Sequence, residues 1–283
     1  MRIDAHQHFW RYNAAQYSWI NQRMNVLKRD YLPDDLARVQ TPLGFEGSIA
    51  VQARQDIDEA RWLLELAQAH PRIMGVVGWV DLQSAALDAQ LEELAAHPQF
   101  VGVRHVVQDE PDDRFMLRPE FLRGLSKLRQ HDLTYDLLVF PRQLPAAIEV
   151  VRRMPDQPFV LDHIAKPAIK EQRMEPWATL IRELAALPNV HCKISGMVTE
   201  ANWTDWTAAD FQPYMDVVFD AFGPERLMIG SDWPVCRLAG EYDRVMDLAT
   251  DYIRARAPQS LNAFLGDNAR AFYLGTTHPA AGN

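Results

Sequence analysis

The sequence predicts an α/β fold, a single (β/α)8 barrel of the TIM type, and three observations predict it. Eight short β-branched or apolar runs alternate with longer segments of helical period. Alternation of this kind implies a parallel sheet with helices packed outside it. Eight strands close such a sheet, and 283 residues suit the roughly 250 that a barrel uses as one domain. Finally, no GxGxxG or GxxxxGK[ST] occurs, so the first strand lacks the Gly-rich phosphate turn expected of an open doubly wound sheet. No linker, charge run or repeat divides the chain. Residues 1–274 therefore read as one barrel domain and 275–283 as a short polar tail.

In chain order, strands are expected at residues 3–8, 47–53, 73–81, 100–107, 133–139, 159–164, 190–195 and 227–233. The first is followed by a long aromatic connection, 9–46, with Trp10, Tyr12, Tyr17 and Trp19. Helices fill the other gaps. Residues 58–69 carry Ala60, Leu63, Leu64 and Ala67 on one face. Residues 84–96 open on Ser84 as an N-cap and carry Leu87, Leu91 and Leu94. Similar patterns cover 119–130, 142–154, 175–187, 208–222 and 242–257, and a last helix is expected at 259–273.

Composition excludes several functions. Charged residues are 24% of the chain and hydrophobic ones 48%, which suits a packed globule and not a disordered one. The balance of 29 basic and 38 acidic residues gives −9, no footprint for nucleic acid or an anionic membrane. No run of 18 apolar residues can span a bilayer. The start, Met1-Arg2-Ile3-Asp4-Ala5-His6, lacks the apolar core of a signal peptide. Two cysteines, Cys192 and Cys236, form no CxxC, so a reducing cytoplasm is the expected compartment.

Functional residues of a barrel collect at the C-terminal ends of its strands. His6 and His8 end the first strand, two residues apart on one face, with Cα atoms about 6.6 Å apart. Imidazoles so spaced can share a cation. Asp232 ends the eighth strand, which neighbours the first on closure. Its carboxylate can ligate a metal or take a proton from water. His163, at the end of strand six, can add a third nitrogen ligand or donate to a carbonyl. Lys193, if it faces inward, needs a counter-charge or a substrate oxygen. Gln52, Arg104 and His105 are candidates for substrate oxygens, and Arg104 has Asp109 and Glu110 as alternative partners in the next loop. Trp10, Trp203, Trp206 and Trp233 fall in loops at the barrel mouth, where an aromatic can cover the C–H face of a sugar.

With these residues in place, the chain resembles the amidohydrolase superfamily, and within it the sugar-lactonase branch. The resemblance runs over nearly the whole chain. It is carried by Asp4-Ala5-His6-Gln7-His8-Phe9-Trp10, by Gly102-Val103-Arg104-His105 through Glu110, by Leu161-Asp162-His163 with Lys166-Pro167, by Cys192-Lys193-Ile194-Ser195-Gly196 and by Gly230-Ser231-Asp232-Trp233-Pro234. It implies a metal set of His6, His8, His163 and Asp232, with Asp232 and His163 catalytic. It implies one divalent ion, zinc before others, and leaves open whether the reaction needs it. Gln52, Arg104, His105, Lys193, Trp10 and Trp233 are the expected substrate contacts. The partner implied is a small sugar lactone, of the L-fuconolactone or a similar L-sugar type, opened to its aldonic acid by water that Asp232 activates. One departure stands out. Strands four and five carry no lysine for a two-metal centre, only Arg104, His105, Tyr135 and Asp136. Decarboxylation of an unsaturated or aromatic acid on the same scaffold, with Arg104 holding the carboxylate, is the second reading. A catalytically silent sugar-binding barrel is the third.

Overall fold

A computed structural model describes residues 1–275 of the chain. Eight strands form one parallel sheet in the order of the sequence: β1 (Arg2–Gln7), β2 (Phe45–Val51), β3 (Ile73–Gly78), β4 (Phe100–His105), β5 (Thr134–Leu137), β6 (Phe159–Leu161), β7 (Val190–Ile194) and β8 (Leu227–Ile229). The seam closes beyond β8. Asp232 N donates to His6 O at 2.8 Å and His8 N donates to Trp233 O at 2.7 Å. The (β/α)8 barrel is therefore as expected. The expected eighth strand runs four residues too far, because the ladder ends at Ile229 and Asp232 turns the chain at φ +56°.

Helices α1 (Pro33–Gln40), α2 (Ile57–Ala69), α3 (Leu87–Ala95), α4 (Pro119–Leu125) and α5 (Leu144–Arg153) cover the first half of the barrel. Helices α6 (Trp177–Ala185), α7 (Ala208–Phe222), α8 (Tyr242–Arg256) and α9 (Asn268–Leu274) cover the second. α1 lies inside the connection read only as aromatic. Its signals were local: Pro33 at the first helical position, Asp34 and Asp35 in the first turn, and an Asp35 carboxylate that accepts from Leu32 N. Ser84 does not cap α3. Its hydroxyl accepts from Ala86 N in the preceding turn, and the helix starts at Leu87. The expected last helix is broken into a 3-10 turn, a π-helical stretch (Ala263–Asp267) and α9. Gly275 ends the described chain, so the rest of the expected tail lies outside the described residues.

The interior is layered. Its floor is apolar: Ile3, Ala5, Ile49, Val51, Val77, Val160 and Met228 pack against Ala269, Tyr273 and Leu274 of α9. Above it lies a charged layer. Lys193 Nζ sits 2.6 Å from Asp136 and 3.0 Å from Asp162, and Tyr273 Oη donates to Asp136 from below. β1 contributes to both layers through a register shift against β2 between Asp4 and Gln7. Strict alternation would put Ala5 and His6 on opposite faces. The extra residue of a bulge lets Ile3 and Ala5 fill the floor while the His6 ring, one residue on, also points inward.

Candidate active site

The site is assembled at the C-terminal ends of the strands from both ends of the chain. His8 Nδ1 lies 2.7 Å from the Val51 carbonyl, which only accepts, so the proton sits on Nδ1 and Nε2 presents its lone pair. That Nε2 lies 3.3 Å from His6 Nε2 and 3.2 Å from Asp232 Oδ1. His6 Nε2 and His163 Nε2 each lie 3.8 Å from the same oxygen. Burial pushes His6 well below its ordinary pKa and His163 down to about 4, so both rings are neutral at pH 7. Burial alone would raise Asp232, but His163, His8 and His6 hold its carboxyl below the usual carboxylate range.

Two local features aim these groups. His163 begins a run of four left-handed residues ending at Lys166, and its Nδ1 sits 2.9 Å from Ser195 Oγ. Gly230 has no side chain because a Cβ there would lie 2.7 Å from His6 Cβ. Strained backbone of this sort persists where a site demands it.

The donor set fits a divalent ion. Lone pairs on His6 Nε2 and His8 Nε2 and a charged Oδ1 of Asp232 converge with 3.2 to 3.8 Å between them. A tetrahedral ion with bonds of 2.0–2.1 Å needs ligand atoms about 3.3 Å apart. A second triplet, His6, Asp162 and His163, also has its ligand atoms within 4.8 Å of one another. There, however, Asp162 already faces two fixed cations, Lys193 at 3.0 Å and Arg104 Nη1 at 2.9 Å. Those neighbours and His6 hold its carboxyl well below the ordinary value against the pull of burial. Arg104 Nη1 also stands 3.3 Å from His6 Nε2, but the Asp232 carboxylate pairs only with histidines among the described residues, so the first triplet is the one whose carboxylate can take an ion, with His163 beside it.

Above this centre lies a cavity of about 630 Å³. His8, His163 and Asp232 face it, as do Gln52, Arg104 and Trp203. Four expected substrate contacts are placed elsewhere. His105 points outward from β4, where Trp79 Nε1 approaches its Nδ1 at 3.4 Å, Glu110 holds its Nε2 at 2.7 Å and Phe115 stacks on the ring. Lys193 has its counter-charges in the layer below and is wholly buried. Trp10 donates to the carbonyls of Leu27 and Arg29, and Trp233 packs edge-on against Phe9 and Tyr31. Adjacent strand residues face opposite ways, so Arg104 inward puts His105 outward. Arg104 and Gln52 are at the cavity but largely satisfy each other. Arg104 Nη2 donates to the Gln52 carbonyl and to its Oε1, and Nη1 goes to Asp162. Asp109 and Glu110 do not take up Arg104.

A model of the amidohydrolase family matches residues 3–274. The chain belongs to the amidohydrolase family. This amidohydrolase is 45% identical to an L-fucono-1,5-lactonase of Burkholderia multivorans, over 97% of its own length and 96% of the relative's. It is 40% identical to an L-fucono-1,5-lactonase of Burkholderia ambifaria, over 97% and 92%. A crystal structure of a Burkholderia multivorans amidohydrolase with bound zinc superposes with a TM-score of 0.93 at 45% identity, covering 96% of this chain and 99% of that one.

Several residues that line the amidohydrolase's cavity were not singled out from sequence. Trp19 and Met24 come from the β1–α1 connection, Arg54 and Gln55 from the loop after β2, and Thr199 and Glu200 from the loop after β7. Lys166 lines it from the left-handed run after β6. Among these, Lys166, next to Pro167 in a quoted motif, and Trp19, in the aromatic connection, carried a sequence signal. The others are ordinary loop residues whose role follows from where the barrel carries them.

Proposed function

We propose that this chain hydrolyses a sugar 1,5-lactone to the open aldonic acid, and that residues 1–274 act as one hydrolase domain. The observation that carries the reading is a charged carboxylate, Asp232, ringed by three histidines at the floor of a ligand-sized cavity. Relatives 45% and 40% identical over nearly the whole chain, both L-fucono-1,5-lactonases, support L-fucono-1,5-lactone as the substrate to try first.

His6, His8 and Asp232 would hold a divalent ion, zinc by the likeness to the zinc-bound structure, with His163 adjoining. Such an ion, when bound, supplies Lewis-acid polarisation of a carbonyl and acidification of water. The chain's own residues do the rest. Asp232 Oδ accepts a proton from a water in the cavity as the water oxygen bonds to the lactone carbonyl carbon. His163, held by Ser195, donates to or polarises the developing oxyanion. The bond from the carbonyl carbon to the ring oxygen then breaks, and Asp232 returns its proton to that oxygen. The product is an aldonic acid, which ionises at neutral pH.

A carboxylate-binding arginine, which decarboxylation would need, is not free here, because Arg104 is committed to Asp162 and Gln52. No helix among the described residues is long and apolar enough to cross a membrane. Both cysteines are buried and free, which supports the cytoplasm as the place of action. The test is a panel of sugar lactones followed by a pH indicator, with and without chelator. Acid release from L-fucono-1,5-lactone or a close stereoisomer is expected. A panel without acid release above the uncatalysed rate, metal supplied, would overturn the reading.

A further inference from the structure

The residues first expected to hold substrate hydroxyls are largely committed elsewhere: Arg104 pairs with Gln52 and Asp162, leaving its buried Nε without a partner among the described residues, and Lys193 is buried below. A lactone ring still needs polar partners, because its hydroxyls lose water on entering the cavity. Lys166 and Glu200 face that cavity with capacity to spare. Both line it, and both also line a neighbouring cavity of about 870 Å³, so they stand at the neck between the two. Lys166 Nζ lies 3.8 Å from Glu200 Oε1, outside hydrogen-bond distance. An ammonium has three donors and a carboxylate about four acceptor sites. A pair set this far apart leaves room for a hydroxyl that accepts from one and donates to the other.

Both residues are held in place. Lys166 is left-handed, at φ +48°, the last of the run that starts at His163. Glu200 ends a 3-10 turn, with its N–H on the Met197 carbonyl and its own carbonyl accepting from Lys170 N. The same turn positions an aromatic wall, since Trp203 Nε1 donates to the Thr199 carbonyl at 2.9 Å. An acid, a base and a tryptophan face on one wall is the chemistry that recognises a hydroxylated ring.

We propose that Lys166 and Glu200, backed by Trp203, form the subsite that reads the ring hydroxyls of the substrate and so set the preference for sugar lactones over bare ones. This rests on the lactonase reading and goes beyond it in naming the specificity residues. The test compares L-fucono-1,5-lactone with δ-valerolactone, which has the same ring and no hydroxyls, in wild type, Glu200→Gln and Lys166→Met. The wild type should prefer the sugar lactone. Each variant should lower that preference, measured as the ratio of the two kcat/KM values, by about 10- to 100-fold, as befits hydrogen bonds to charged groups. Most of the change is expected in KM. Equal losses on both lactones would mean a structural role and overturn the proposal, as would an unchanged ratio. If the wild type hydrolyses neither lactone, the lactonase reading fails, and calorimetric binding of L-fucose decides the subsite separately. Binding that Glu200→Gln weakens supports it; absent or unaltered binding overturns it.

Discussion

Asp232 shows how one residue can be held in an uncommon backbone state and an uncommon charge environment together. Its φ of +56° turns the carboxylate off the end of β8 into the histidine group. Asn shares the Asp tolerance for that conformation. Asp232→Asn should therefore keep the far-ultraviolet circular dichroism of the wild type. As the proposed base, its loss should lower kcat by about 10²- to 10⁴-fold. Near-normal turnover would remove Asp232 from that role. Gly196 makes a second case. At φ +59°, a Cβ would stand 2.4 Å from His163 Nδ1. Gly196→Ala should displace His163, lowering kcat/KM, and should also lower the melting temperature, since left-handed alanine costs about 1–2 kcal/mol. Wild-type kinetics in this variant would show that His163 needs no fixed position.

Elements meet at Glu59, in the first turn of α2. Its Oε2 accepts from Ala53 N at 2.9 Å and Arg54 N at 2.8 Å, which pins the loop after β2 to the helix. Tyr17, from the β1–α1 connection, donates to Oε1. Two walls of the cavity thus hang on one buried carboxyl. Burial raises that carboxyl from 4.5 to about 7, although the backbone N–H groups and Arg54 pull it down. The folded chain holds this proton more tightly than the unfolded one. The resulting stability is full below pH 4.5 and is lost as the pH rises through about 7. The change amounts to roughly 3 kcal/mol. Urea melts should show the wild type losing ground to Glu59→Gln as the pH rises over that range. A difference independent of pH would contradict the assignment.

At the scale of the whole molecule, the proposed ion ligands come from opposite ends of the sequence. His6 and His8 end β1, and Asp232 follows β8. An ion shared by them would staple the seam at which the barrel closes. Binding to the folded state alone stabilises it by about 2.7 kcal/mol when free metal is a hundredfold above Kd. Removing the ion by dialysis against a strong chelator should therefore lower the melting temperature by several degrees, and one equivalent of zinc should restore it. Elemental analysis should find one ion per chain. A melting temperature indifferent to chelation and to added zinc would argue against a bound ion in the working enzyme.

Much of this was legible in the sequence because it is local or periodic. Eight apolar runs spaced by amphipathic helices point to a barrel, and their position at strand ends points His6, His8, His163 and Asp232 to one mouth of it. The substrate contacts were less legible. Trp10 and Trp233 look like a sugar platform in the sequence, yet pack against Tyr31, and Lys193 finds its partners 57 and 31 positions away, in Asp136 and Asp162. Only the tertiary structure decides such pairings, because a buried charge is neutralised by whatever the fold brings next to it. The bulge in β1 makes the same point at the heart of the site. The sequence by itself determined that two histidines stand two apart on a strand; that Ala5 and His6 both face inward depends on one extra residue in the pairing with β2, which no alternation pattern records.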